Sequence, residues 1–382
     1  MITNIIKIAW RNIIKNKLYT LLHILGLGLG LATCLFLYTY IAFHHSFDRF
    51  HPKADRTFRL VSELHLQKTE YSKGASYAMY KAPQTEMPEV EDATFLLGNQ
   101  EFTLKIGERL YKTGQQAALA SSNWFELFDF DWLKGNPKDL DEVNSIALTA
   151  KSAETYFGNA DPMGQIILVD NKHPFKVVGV IDDSRSNTSL KAELYLSLNS
   201  IRSLQPDIMD AFFSYWRFIN SSNNVFVSLQ HPLQKEAVEQ KLMQLAAKNL
   251  DPSVTNVYNF KLLPLEEVHF DMNYGGTAKK SLLVVLAIVG GCIMVVASIN
   301  YINLSIAQQA RRSVEIGTRK VLGESGKQLF IQFLIESILI TLVALCLSFA
   351  FIQLAIAIAL STVGLQVIKA AWANPVDSLR DE

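Results

Sequence analysis

The strongest constraint on this chain is a run without charge. Residues 281–307 read SLLVVLAIVGGCIMVVASINYINLSIA and hold no Asp, Glu, Lys or Arg. About 20 apolar residues suffice for a helix to cross a bilayer, so this run predicts a membrane span. A basic stretch follows at 308–328, with Arg311, Arg312, Arg319, Lys320 and Lys327 against Glu315 and Glu324. Residues 329–360 are apolar again and carry one charge, Glu336. A short Lys/Arg-rich loop between two spans stays in the cytoplasm. Residues 308–328 are therefore expected inside.

The N-terminal end reads the same way. Residues 18–43 are apolar and form the first expected span. Its length exceeds a signal-peptide core and no small-residue cleavage site follows, so it is expected to remain in the chain. Gly26, Gly28 and Gly30 mark a face that another helix can approach closely. Before it, Ile2, Ile5, Ile6, Ala9, Trp10, Ile13 and Ile14 recur at helical spacing, with Lys7, Arg11 and Lys15 off that stripe. Residues 1–17 thus predict a basic amphipathic helix at the membrane interface, touching lipid. Crossing outward at 18–43 and back at 281–307 places 44–280 outside the cytoplasm.

That middle region has a globular composition. The chain as a whole is 49% hydrophobic with a formal net charge of zero, which argues against a nucleic-acid partner. Cys34, Cys292 and Cys346 all lie in the apolar segments and the middle has none, so disulfides say nothing about its compartment. Phe58, Leu60, Leu64 and Leu66 alternate with polar residues, as in a half-buried strand. Residues 145–148 predict a short strand, and Thr149 caps a helix that ends at Gly158. Residues 161–164 form a turn, and 165–169 and 174–181 pair as a hairpin around Asp170 and Asn171. Residues 224–229 read as a strand. Pro232 opens a helix to about Asn249, with Val238, Leu242 and Leu245 on one face. Strands and helices alternate too irregularly for a doubly wound sheet, so an α+β domain is expected. The polar stretch 199–223 reads as an insertion.

The basic segment itself has helical structure. Ala310, Val314, Gly317 and Val321 form a stripe beside the arginines, Gly323 ends the helix, and Ser325 with Gln328 forms a capping box for the next. Gly326 and Lys327 do not make a phosphate loop, because Gln328 and Val321 stand where hydroxyl and glycine are needed. The zincin, nucleophile-elbow and CxxC patterns are absent. No catalysis, cofactor or metal is therefore expected. His44, His45, Asp48 and His51 read as a solvated interfacial cluster rather than a metal site. Glu336 lies about 10 Å into its span by helical rise, and such intramembrane carboxylates serve packing or coupling.

Five stretches carry a resemblance to a known family: IAWRNIIKNKLYTLLHILGLGLG at 8–30, SFDRFHPKADRTFRL at 46–60, WFELFDFDWLKGNP at 124–137, NSIALTAKSAETYFGNADPMGQ at 144–165 and NYINLSIAQQARRSVEIGTRKVLGESGKQLFIQFLIES at 300–337. Their layout resembles the MacB/FtsX-type permeases of ABC transporters. The resemblance implies an α-helical protein of the bacterial inner membrane with a large α+β extracytoplasmic domain. It implies a permease subunit working with a separate cytoplasmic ABC ATPase, as a homodimer or beside a second permease chain. Arg311, Arg312, Val314, Glu315, Gly317, Arg319 and Lys320 are then the expected ATPase-coupling residues. The alternative is an extracytoplasmic sensor or scaffold without transport. The family's unit has four spans, whereas 329–360 has no Gly, Pro or polar break. Three spans with the tail 361–382 outside are therefore expected, with four as the alternative, as in a shortened or rearranged member.

Overall fold

The computed structural model describes residues 17–372 apart from 186, 312, 322 and 324, together with 7, 10, 11, 14 and 15. Phe43–Lys280 forms one compact unit, and the apolar helices of the two chain ends form the other. Most of the amphipathic helix expected over 1–17 lies outside the described residues.

Among the described residues, three helices are long and apolar enough to cross a membrane. They run Lys17–His45, Lys280–Arg311 and Gly326–Trp372. Large apolar side chains such as Leu29, Phe36, Val296 and Phe349 are exposed on them, as lipid-facing positions require. The glycine face of the first helix meets the other two. A Cβ at Gly30 would lie 2.7 Å from Cβ of Ala297, and one at Gly28 would lie 3.3 Å from the Ala344 carbonyl. Cys34 donates its thiol hydrogen to the Gly290 carbonyl at 3.1 Å. Small residues thus let three backbones approach where apolar side chains gain nothing over lipid. The third helix runs unbroken past the expected 329–360, so the first part of the expected tail is helical.

The middle unit is built on one 13-stranded mixed sheet. Its strands are β1 (Thr57–His65), β2 (Thr69–Ser72), β3 (Val90–Gln100), β4 (Thr103–Ile106), β5 (Arg109–Lys112), β6 (Ala117–Ala120) and β7 (Trp132–Gly135). They continue with β8 (Ser145–Thr149), β9 (Ile166–Val169), β10 (His173–Ile181), β11 (Leu194–Ser197), β12 (Asn223–Leu229) and β13 (Tyr258–Pro264). The order across the sheet is β13-β1-β12-β3-β6-β11-β8-β10-β9-β4-β5, with β2 on β1 and β7 on β10. The pairs β8–β10 and β6–β11 are parallel and the rest antiparallel.

Both faces of this sheet are covered, and side chains alternate between two cores. Phe95, Leu119, Ile146, Leu196, Val225 and Leu60 enter the first core. Their neighbours Leu96, Ala118, Ala147, Tyr195, Phe226 and Val61 enter the second. Helices Tyr77–Glu86 and Lys235–Asn249 cover the first face, and Ser122–Phe128 covers the second with Trp124, Phe125 and Phe128. The stretch expected as an insertion lies between β11 and β12 and packs on the first core, where Ile201 and Phe212 are buried.

Local chemistry places several elements where the sequence predicts them. Asp170 and Asn171 take left-handed backbone at φ 51° and 56°, and His173 pairs with Val169 across the resulting hairpin. Thr149 accepts from the Ser152 amide at 3.2 Å and caps helix Ala150–Phe157. β1 differs from expectation. It is buried on both sides over residues 57–63, including Arg59, Ser62 and Glu63, while Leu66 lies exposed beyond its end.

Candidate functional site

The connector between the second and third long helices is a short helix, Ser313–Val321. It is narrower than the expected 308–328, because 308–311 continue one long helix and 326–328 begin the next. The Gly323 amide donates to the Lys320 carbonyl at 3.1 Å, and Gly323 adopts φ 95°, which turns the chain out of the helix. Ser325 and Gln328 then cap each other: the Ser325 amide donates to Gln328 Oε1 at 3.0 Å and the Gln328 amide to Ser325 Oγ at 3.4 Å.

On the connector, Val314 is 77% and Val321 89% exposed, and Gly317 and Lys320 are exposed beside them. A Cβ at Gly317 would meet nothing among the described residues. Arg312 and the side chains of Arg311, Glu315 and Arg319 lie outside the described residues. The described part of the element is thus a helix fixed at its C-terminal turn, with two bare valines.

Within the membrane unit, Glu336 is only 6% exposed and lines a cavity of about 40 Å³ with His23, Tyr301, Ser305, Gln308 and Ser337. The His23 and Tyr301 rings meet edge to face at 4.8 Å. Glu336 therefore sits among polar groups drawn from all three long helices, the arrangement expected of an intramembrane carboxylate. The sequence singles out Glu336 as the lone charge. It does not single out His23 or Tyr301, which join it only through helix packing.

The His44–His51 stretch is not one helical face, since the first helix ends at His45. His44 Nδ1 lies 2.7 Å from His269 Nε2. His45 packs against the Phe270 ring. His51 Nδ1 donates to the Phe128 carbonyl at 2.7 Å. Asp48 accepts from the Thr188 hydroxyl at 2.6 Å and from the Ser189 amide at 3.1 Å. Asp48 and His51 are buried rather than solvated, with His51 Nε2 3.8 Å from Asp48 Oδ1, while His44 and His45 face His269 and Phe270. Among the described residues no group of His, Cys, Asp and Glu is arranged to hold a metal.

Two cavities of the middle unit lie against the second core. One, of about 310 Å³, is lined by aromatic rings such as Phe128 and Phe130 and by the carboxylates of Asp129, Asp131 and Asp182. The other, of about 300 Å³, is lined by Arg59, Lys73 and Lys191 together with Phe47, Trp124 and Phe226.

Residues 20–245, more than half of the chain, match the MacB-like periplasmic core domain. The chain belongs to the MacB/FtsX-type permease family. Residues 287–375 match the FtsX-like permease C-terminal domain, which covers the connector and both flanking helices. The chain is thus a multi-pass protein of the bacterial inner membrane with a periplasmic middle domain. It is similar to the macrolide export ATP-binding/permease protein MacB of Aggregatibacter actinomycetemcomitans, at 22% identity over 76% of this chain and 40% of that one. It is also similar to the ABC transporter permease YknZ of Bacillus subtilis, at 24% identity over 56% of this chain and 48% of that one. Among solved structures, a permease-protein domain from Porphyromonas gingivalis aligns with a TM-score of 0.49 and 20% identity, over 56% of this chain and 92% of that one. The chain spans about half the length, or less, of the curated relatives it matches.

Proposed function

We propose that this MacB/FtsX-type chain is the permease subunit of an ABC transporter, and that helix Ser313–Val321 docks on a separate cytoplasmic ATPase. The observation that carries this reading is the pair of bare valines, Val314 and Val321, on a short helix held between two spans. An amphipathic helix seats its apolar residues in a partner's groove, and Arg311, Arg312, Arg319 and Lys320 supply charge for carboxylates around that groove. ATP-driven closure of the partner would move the connector, and the long helices would pass the motion to the periplasmic domain for export or release of a substrate. Glu336, packed among polar groups, would hold the helices in register during that motion. The assembly would be a homodimer or would pair this chain with a second permease, with lipid around its spans and the C-terminal tail outside. The chain itself would neither bind nor hydrolyse ATP.

A photoreactive residue at position 321 of the full chain, in native membranes, tests the docking. The expected product is a cross-link to a protein that also labels with azido-ATP, lost in a Val314→Asp, Gly317→Leu variant that reaches normal membrane levels. Unchanged copurification of such an ATP-binding protein with the double variant would rule the docking out. A chain that acts only as sensor or scaffold would give no ATP-labelled cross-link.

A further inference from the structure

We propose that the cavity at Arg59 and Lys73 binds a small ligand through an anionic group, a phosphate or a carboxylate. The inference does not depend on the coupling role of the connector.

Arg59 lies on β1, between β13 and β12 near one end of the sheet, directly opposite Phe226 of β12. It is only 6% exposed. Its Nη2 donates to Asn224 Oδ1, and its guanidinium lies 5.5 Å from the centre of the Phe226 ring. Its Nε–H has no partner among the described residues. A buried cation held by one neutral amide and one ring is poorly compensated, because burying a charge is costly unless it is paired and hydrogen-bonded. Asp48 is the carboxylate whose charge favours the Arg59 cation, but its oxygens already accept from Thr188 and Ser189.

The second cation makes the imbalance worse. Lys73 follows β2, is half-buried and lines the same cavity. Its stem lies against Gly275, where a Cβ would meet Lys73 Cδ at 3.1 Å, so glycine at 275 leaves the room this lysine occupies. Burial lowers the Lys73 ammonium below the ordinary lysine range, and the like charge of Arg59 lowers it further. Burial pulls the Arg59 guanidinium down to about 10, against the charge of Asp48. Lys191 adds a third positive charge at the wall, and among the described residues no Asp or Glu lines this cavity.

Two cations that repel each other around an open volume are stabilised by an anion placed between them. Arginine forks match phosphate and carboxylate oxygens, and charge-assisted bonds of that kind are the strong ones. The volume, about 300 Å³, is at the small end of the range for ligand sites. It admits an anionic headgroup and a few carbons. Phe47 and Trp124 at the wall offer apolar surface to those carbons. A free phosphate compound and an anionic lipid headgroup share this chemistry, and the experiment separates them.

The test uses the full chain in nanodiscs of phosphatidylcholine, with thermal unfolding of the periplasmic domain followed at constant ionic strength. Inorganic phosphate replaces chloride stepwise in one arm, and phosphatidylglycerol replaces phosphatidylcholine in the other. A ligand that binds only the folded state raises the midpoint with saturation. Saturation with free phosphate in phosphatidylcholine identifies a soluble anion; a response confined to phosphatidylglycerol discs identifies a headgroup. Arg59→Met, which keeps an apolar stem and removes the charge, is expected to fold and to lose the response. Lys73→Gln is expected to weaken it at least tenfold, and its half-buried position keeps the test decisive if Arg59→Met does not accumulate. The proposal is overturned by the absence of a saturable response in both arms, or by a Lys73→Gln response equal to that of the parent.

Discussion

The periplasmic sheet domain and the connector helix handle apolar residues in opposite ways. In the domain, valine, leucine and phenylalanine from both faces of the sheet fill two cores. In the connector, Val314 and Val321 are bare on a single short helix. Exposing two valines is tolerable on a helix anchored by spans at both ends, since the spans and not the valines hold it in place. The difference teaches which part of the chain is self-sufficient. The domain completes its own core, whereas Val314 and Val321 of the connector enter no core among the described residues.

Placing the same substitution in each region is the sharpest way to break that comparison. Val238 is fully buried on helix Lys235–Asn249, in the first core. Val238→Asp puts an unpaired carboxylate there, a change of the exceptional class above about 4 kcal/mol. Membrane levels of that variant are expected to collapse, and limited proteolysis of what remains should cut the domain at once. A domain that stays protease-resistant with Val238→Asp in place would show that this core is far looser than its packing implies.

A smaller effect comes from a charge the domain has satisfied. Glu63 lies on the same strand as Arg59 and is likewise buried. Burial alone would raise its pKa, but hydrogen bonds from Lys261 at 2.8 Å, Tyr274 at 2.7 Å and Asn259 at 2.8 Å, with the charge of Lys261, lower it below the ordinary carboxylate range. A carboxylate whose folded pKa is lowered stabilises the fold above its unfolded pKa and loses that contribution as pH falls through the folded value. At pH 7 the parent should exceed Glu63→Gln by about 1.5–3 kcal/mol, the range for hydrogen bonds to charged groups. The margin should shrink as the pH drops below about 4, the unfolded carboxylate range. Urea unfolding of both chains at pH 7 and at about pH 3 measures it, and a margin constant across that interval would show that the carboxylate charge contributes nothing.

How much of this is legible in the sequence follows from how local each signal is. The hairpin of β9 and β10 is readable because Asp170 and Asn171 carry the left-handed turn themselves. The cap at Thr149 and the buried stripe of Val238, Leu242 and Leu245 are local as well. β6 and β11 are not readable: AALA and LYLS are buried at every position, so no apolar–polar alternation exists to find. β1 misleads for a related reason. Arg59 and Glu63 look like its outward face, yet their partners Asn224 and Tyr274 lie 165 and 211 residues further along, where nothing in the strand announces them. The candidate sites divide likewise. The connector valines and Glu336 follow from patterning within one segment. His23 and Tyr301, and the cavity around Arg59 and Lys73, exist only once distant segments pack.

The smallest expected effect on the fold is also the most informative. Val314→Asp is the same change as Val238→Asp, made where the side chain is 77% exposed. Surface substitutions of this kind stay within about 0.5 kcal/mol. Ser313–Val321 should therefore keep its helix, the chain should reach normal membrane levels, and proteolysis of the periplasmic domain should match the parent. Aspartate has a lower helix propensity than valine by only a few tenths of a kcal/mol at most, too little to melt a helix whose C-terminal turn is fixed at Gly323 and at Ser325. Any loss of the expected ATPase would then be a loss of surface and not of structure. A Val314→Asp chain that is degraded or fails to insert would break the comparison from this side, because it would mean that the connector's apolar residues serve the fold of this chain and do not await a partner.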